Sequence, residues 1–112
     1  LVLVNEPTFP GCVMEVKPIG VFHMADDKGP DEKVICVPVS DPIWNSLENL
    51  SDINPHLLKE IEHFFQVYKD LENKQVDVEG WGDVNEAYAI IKECTERFNQ
   101  IENKPEGLFS IK

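Results

Sequence analysis

No run of about 18 apolar residues occurs in this chain, which excludes a helix that spans a bilayer. Basic residues are scarce: ten lysines and arginines stand against twenty-one aspartates and glutamates, a net charge of −11 at pH 7. That balance has the wrong sign for a protein that grips nucleic acid through its phosphates, and an anionic membrane would repel it too. A basic aromatic platform for stacking single-stranded bases is also missing. Cysteine is limited to Cys12, Cys36 and Cys94, widely separated, with no CxxC pair and no histidine at zinc spacing near them. They read as reduced, cytosolic thiols, and because each falls on an apolar pattern they are expected as small buried hydrophobes. His23, His56 and His63 share no ligand spacing and are assigned no chemistry. Internal repeats and low-complexity segments are absent. No basic and then apolar leader opens the chain, and it begins with Leu1-Val2-Leu3-Val4 rather than methionine, as though cut inside a strand.

What is present fits one small domain. With 112 residues and 42% hydrophobic content, there is room for one core and burial of about two-thirds of the unfolded surface. Leu1 to Val4 is a short β-type run, ended by Asn5-Glu6-Pro7 and the Pro10-Gly11 turn. Cys12 to Val16 alternates, and after Pro18-Ile19-Gly20 the strand pattern resumes as Val21 to Met24, with the Pro and Gly marking a bulge or sharp bend. Val34 to Val39 is the returning strand. Trp44 is expected to anchor the following loop to the core. Asn54 then Pro55 starts a helix whose apolar face is Leu57, Leu58, Ile61, Phe64, Phe65 and Tyr68. Val76, Val78 and Trp81 alternate with polar residues as a further strand. Asp83 with Glu86 caps a second helix that carries Val84, Ala87, Tyr88, Ile91, Cys94, Phe98 and Ile101 to about Glu102. The pattern predicts an α+β domain over residues 1–103, with 104–112 as a loose tail.

The densest chemistry lies from Met24 to Lys33, where Asp26, Asp27, Asp31 and Glu32 flank a Gly29-Pro30 turn that closes on Lys33. Side chains on a turn between strands can converge on one point, and carboxylate oxygens are the ligands that hard cations prefer. Lys33 adds a positive charge able to meet phosphate oxygens. The segment reads as half of a metal-phosphate site, or else as a solvated acidic hairpin tip. The spacing excludes an EF-hand, because Asp26 and Asp27 are adjacent and Lys28 precedes the glycine. An anionic ligand of so acidic a protein requires bound cations as intermediaries. Tyr68 and Lys69 close the first helix. Either Tyr68 ends the apolar stripe and Lys69 complements the helix terminus, or the hydroxyl and the ammonium both donate to one phosphate.

Several of these segments together resemble a known family. Pro18-Ile19-Gly20-Val21, then Met24, Asp26, Asp31 and Lys33, then His63-Phe64-Phe65 and Tyr68-Lys69-Asp70-Leu71-Glu72, then Val78-Glu79-Gly80-Trp81, are similar to the soluble family I inorganic pyrophosphatases, the bacterial branch being the nearer. The resemblance spans nearly the whole chain up to the tail. It implies an OB-like, five-stranded β-barrel with two α-helices, only part of the barrel lying in this chain. It also implies hydrolysis of pyrophosphate to two phosphates with several magnesium ions. Asp26 and Asp31 resemble the carboxylates that bind metal, Lys33 the lysine that contacts phosphate, and Tyr68 and Lys69 the pair that holds the leaving phosphate. Asp27, where bacterial relatives commonly have glutamate, is expected to support the metal ligands from behind.

The family's Asp-Gly-Asp-Pro cluster, which supplies further metal ligands and the base for water, belongs upstream of Leu1 and is missing from the sequence. The chain is therefore expected to be the carboxyl-terminal half of a longer inorganic diphosphatase, nearly inactive alone and prone to associate through open strand edges. The resemblance further implies a cytoplasmic homo-oligomer, a hexamer in bacterial relatives. The competing reading is a non-catalytic short relative acting as a binding or assembly module.

Overall fold

The computed structural model describes residues 1–102. Its centre is β1 (Val16–Asp26), flanked on one side by β2 (Gly29–Pro38) and on the other by β3 (Asp77–Gly82), both antiparallel to it. Between β2 and β3 lies α1 (Pro55–Val67), and α2 (Val84–Asn99) follows β3. The fold is α+β, with a three-stranded part of a barrel wall. The expected tail at 104–112 lies outside the described residues.

As the middle strand, β1 is covered on both faces. Phe22 and Met24 meet Ile35 and Val37 of β2 and Phe65 of α1 in one buried cluster. On the opposite face Val21 lies against Gly82 and α2, whose one buried residue is Ala87. The sequence places Ile19 three residues before Phe22, which in a regular strand would put them on opposite faces. The register slips between Pro18 and Gly20, so the extra residue is Ile19 and both side chains reach the core. A second slip, opposite His23 and Met24, explains β3: Val78 pairs with Met24 and Trp81 with Phe22, Glu79 is the extra residue, and Gly80 takes φ 111°.

Helix starts follow the sequence. Asn54 caps α1 through its side chain to the His56 amide, with proline in the first turn, and Asp83 and Glu86 form a reciprocal capping box on α2. Trp44 packs against the core cluster as expected. No helix among the described residues is long and apolar enough to cross a membrane.

Four expectations need correction. Cys12 to Glu15 is not strand, since Val13 is 85% exposed and the alternation has no core to face. Leu1 to Leu3 forms only a single parallel bridge beside β2, tied by the Cys36 amide to the Leu1 carbonyl at 2.8 Å and the Leu3 amide to the Cys36 carbonyl at 2.9 Å. Met24 to Lys33 is not an open loop, for the strands run to within two residues of each other. Cys12 and Cys36 are only partly buried, and Cys94 is exposed because α2 presents a wider apolar stripe than the sheet covers, leaving Tyr88 and Ile91 exposed as well.

Gly20 sits where the backbone of β1 passes the side chain of Leu50, and a Cβ there would overlap Leu50 Cγ and both methyls. Gly20→Ala should therefore cost about 1–3 kcal/mol of stability. Urea unfolding of the single variant and of Gly20→Ala/Leu50→Ala tests the cause: the double variant should lose less than the sum of the two singles.

Candidate active site

The β1–β2 register decides which side chains share a face. Met24 pairs with Asp31 and Phe22 with Lys33, so Asp31 and Lys33 lie on the face that carries the core residues Phe22 and Met24. Two residues past Met24, Asp26 continues the same face to the tip of the hairpin. This face is the one covered by α1, where Phe65 lies 5.6 Å from Phe22, ring centre to ring centre. From Phe65 the aromatic packing continues to Tyr68, edge to face at 5.6 Å. Tyr68 ends α1 as its C-cap, and Lys69 stands just outside the helix.

The chain exit thus brings Lys69 back over the hairpin tip. Its Nζ donates to Asp26 Oδ2 at 2.7 Å, across 43 residues of sequence. Both side chains are shielded, with 18% of Lys69 and 9% of Asp26 exposed. Asp26 Oδ1 accepts from the Lys28 amide at 2.8 Å, which closes the turn. Lys33 pairs with Asp31 at 2.9 Å, each about a third exposed, and its ammonium lies 5.8 Å from the centre of the Phe65 ring. The Lys69 ammonium lies 5.4 Å from the centre of the Tyr68 ring.

Five of the six residues singled out in the sequence therefore gather on one surface: Asp26, Asp31, Lys33, Tyr68 and Lys69. Asp27 stands exposed at the turn. The solvated-tip reading fails for Asp26, whose side chain is 9% exposed. The sequence reading missed the joining of Asp26 to Lys69 and the part of Phe65, which lies between Lys33 and Tyr68. Only the Phe64-Phe65-Tyr68 spacing on α1 could have hinted at that. Two cavities lie elsewhere. One, of about 480 Å³, runs between β2 and α2 beside Val34, Ile91 and Cys94, and one of about 550 Å³ lies beside Met14 and Ile43.

As donors for a cation, Asp26 and Asp31 are hard carboxylates on one face, and each already holds a lysine ammonium as a stand-in cation. No group of three such donors comes together among the described residues. Two carboxylates with water and phosphate oxygens match the way magnesium is commonly held, so the donor set fits in kind.

The hydrogen bond from Lys69 holds the Asp26 carboxyl below the usual carboxylate range, helped by the Lys28 amide and opposed by desolvation. The same bond to Asp26 holds the Lys69 ammonium well above its ordinary range, against desolvation and with help from Tyr68. A lowered acid contributes stability above its unfolded value, about 3.9, and loses it as pH falls through the folded value. A raised lysine contributes below about 10.4 and loses it only as pH rises through the folded value. The pair therefore stays charged through neutrality and is lost only in strong acid or strong base. In metal-free buffer, carboxyl NMR should place the Asp26 midpoint below the ordinary value and, in Lys69→Met, return it upward. An unchanged midpoint in that variant would show that the lysine is not the cause.

Comparison with known proteins gives this geometry a context. Residues 1–99 match the family model described as inorganic pyrophosphatase. The inorganic pyrophosphatase of Methanosarcina mazei is 51% identical over 100 residues, covering 89% of this chain and 59% of that protein. That of Methanosarcina acetivorans is 53% identical over 98 residues, covering 88% and 58%. The crystal structure of inorganic pyrophosphatase from Thermus thermophilus superposes with a TM-score of 0.84 at 37% identity, over 88% of this chain and 59% of that one. This chain thus spans about 59% of the length of such relatives. The match runs through both strands of the acidic hairpin, α1, β3 and α2, and the chain belongs to the inorganic pyrophosphatase family.

Proposed function

We propose that this chain carries the carboxylate hairpin and the phosphate-binding side of a metal-dependent pyrophosphatase site, acting in hydrolysis of inorganic pyrophosphate to two phosphates. The observation that supports this best is the meeting of Asp26 with Lys69 and of Asp31 with Lys33 on one face. Pyrophosphate is a dense anion that shields its own phosphorus, so its hydrolysis requires neutralised charge and an attacking water of lowered pKa. Divalent cations, magnesium by the hardness of the donors, supply both when bound.

Asp26 and Asp31 would hold such cations. Lys33, Lys69 and the Tyr68 hydroxyl would donate to the phosphate oxygens, most usefully as charge gathers on the departing group. The four charges at the face cancel in pairs, so bare pyrophosphate meets no net positive charge there, and the substrate is expected to arrive with its cations. Asp27, exposed at the turn, is proposed to support the tip rather than to touch a cation. The proposed setting is cytoplasmic, within a homo-oligomer of full-length chains.

The alternative is a non-catalytic binding or assembly module, favoured by the finding that no group of three metal donors comes together among the described residues. Magnesium-dependent phosphate release from pyrophosphate, taken beside the intact mass of the purified protein, separates the two. Release by a protein heavier than 12.8 kDa supports the enzyme; a mass of 12.8 kDa without release supports the module. No release from a magnesium-saturated, full-length protein would overturn the enzyme reading. In an active protein, Lys33→Met should lower the rate by about 10²–10³-fold, the usual loss when one preorganised donor is removed.

A further inference from the structure

We propose that Phe65 is a positioning residue of this site, a ring that donates nothing to phosphate itself but sets where Lys33 and Tyr68 present their donors. The inference rests on the pyrophosphatase reading and adds to it the side chain through which two of its donors are held at one spacing.

Phe65 stands over a cross-strand pair. Phe22 of β1 and Lys33 of β2 are register partners on one face of the sheet, and the Phe65 ring centre lies 5.6 Å from that of Phe22 and 5.8 Å from the Lys33 ammonium. The ammonium lies over the ring, whose face is the negative side of its quadrupole, inside the ~6 Å within which that attraction acts. The same ring meets Tyr68 edge to face at 5.6 Å, with the two planes 87° apart, and Phe64 stacks on Tyr68 at 5.7 Å. Three residues apart on a helix, Phe65 and Tyr68 are neighbours on its surface. One side chain, 8% exposed, therefore contacts a donor from β2 and a donor from the end of α1.

The ion pair to Asp31 does not fix Lys33 by itself. Both partners sit on β2 and each is about a third exposed, and a pair so open to water leaves a long side chain much of its freedom. The ring restrains the ammonium without accepting a conventional hydrogen bond from it. One N–H serves Asp31, and the others stay available to phosphate oxygens. A carboxylate or amide in place of the ring would claim another of them. The ring is itself anchored, because the Phe22 ring on which it rests lies 4.7 Å from Trp81 of β3.

A ring that only filled the core would affect stability alone, and two measurements separate that role from positioning. In the chain as it stands, NMR should find the Lys33 ε-methylene protons shifted upfield by the ring current. Phe65→Leu, which keeps apolar bulk, should return them to the ordinary lysine position, while the exposed Lys59 does not move. An absent upfield shift, or one that survives Phe65→Leu, overturns the proposal and leaves the pyrophosphatase reading intact. In the full-length protein with magnesium, exchanging the ring for a trifluorinated phenylalanine of nearly the same shape withdraws charge from the ring face and keeps its apolar bulk. Tm should hold, and kcat for pyrophosphate should fall about three- to tenfold with KM changed by less than about twofold. An unchanged kcat, or a loss that only accompanies a lowered Tm, overturns the proposal. If the unaltered full-length protein releases no phosphate, the pyrophosphatase reading fails and this one fails with it.

Discussion

The antiparallel register of β1 against β2 is the constraint on which the site depends. Side chains alternate across a sheet, so a slip of one residue would send Asp31 and Lys33 to the α2 face, away from Lys69. What prevents the slip is burial. Phe22, Met24, Ile35 and Val37 are all essentially inaccessible to solvent, and a slip would take one strand's pair out of the cluster they share. The core therefore specifies the site. The same alternation that hides Phe22 and Met24 carries Asp26 to the tip on the same side, and the bulge at Ile19 keeps the pattern in phase from the start of the strand.

The second requirement is to hold like charges close together in a protein of net charge −11. Asp26, Asp31 and the nearby Asp27 would repel one another if left bare. Two lysines from different elements remove most of that repulsion, one from β2 itself and one from the end of α1. Aromatic side chains fix where those lysines stand. Trp81 lies 4.7 Å from Phe22, Phe22 lies 5.6 Å from Phe65, and Phe65 in turn meets Tyr68 and the Lys33 ammonium. A continuous apolar path thus connects β3, through the core, to both cationic groups, and ties their positions to the stability of the fold.

Much of this was legible in the sequence, for physical reasons. Caps and period signals are local, so Asn54-Pro55 and Asp83 with Glu86 marked the helix starts correctly. Pro18-Ile19-Gly20 marked a bulge because proline and glycine have few other uses within a strand. Gly80 gave the same signal unrecognised, and without it the three-residue step from Val78 to Trp81 reads as broken alternation. The acidic segment looked like a loop because its polar residues hide how far the pairing runs. Cys94 was misplaced because an amphipathic stripe states how much surface a helix could bury, not how much the sheet covers. The Asp26–Lys69 pair was out of reach altogether, since a contact spanning 43 residues exists only once α1 has docked.

That docking gives the pair its wider meaning. Lys69 follows the helix directly, so its reach to Asp26 depends on where α1 ends, and α1 ends where Phe65 is held by Phe22. A lysine on a flexible loop could neutralise Asp26 equally well, but it would lose more side-chain and backbone freedom in doing so. Placed one residue beyond a packed helix, the ammonium starts near its target, and the entropy of holding it there is largely met by the core.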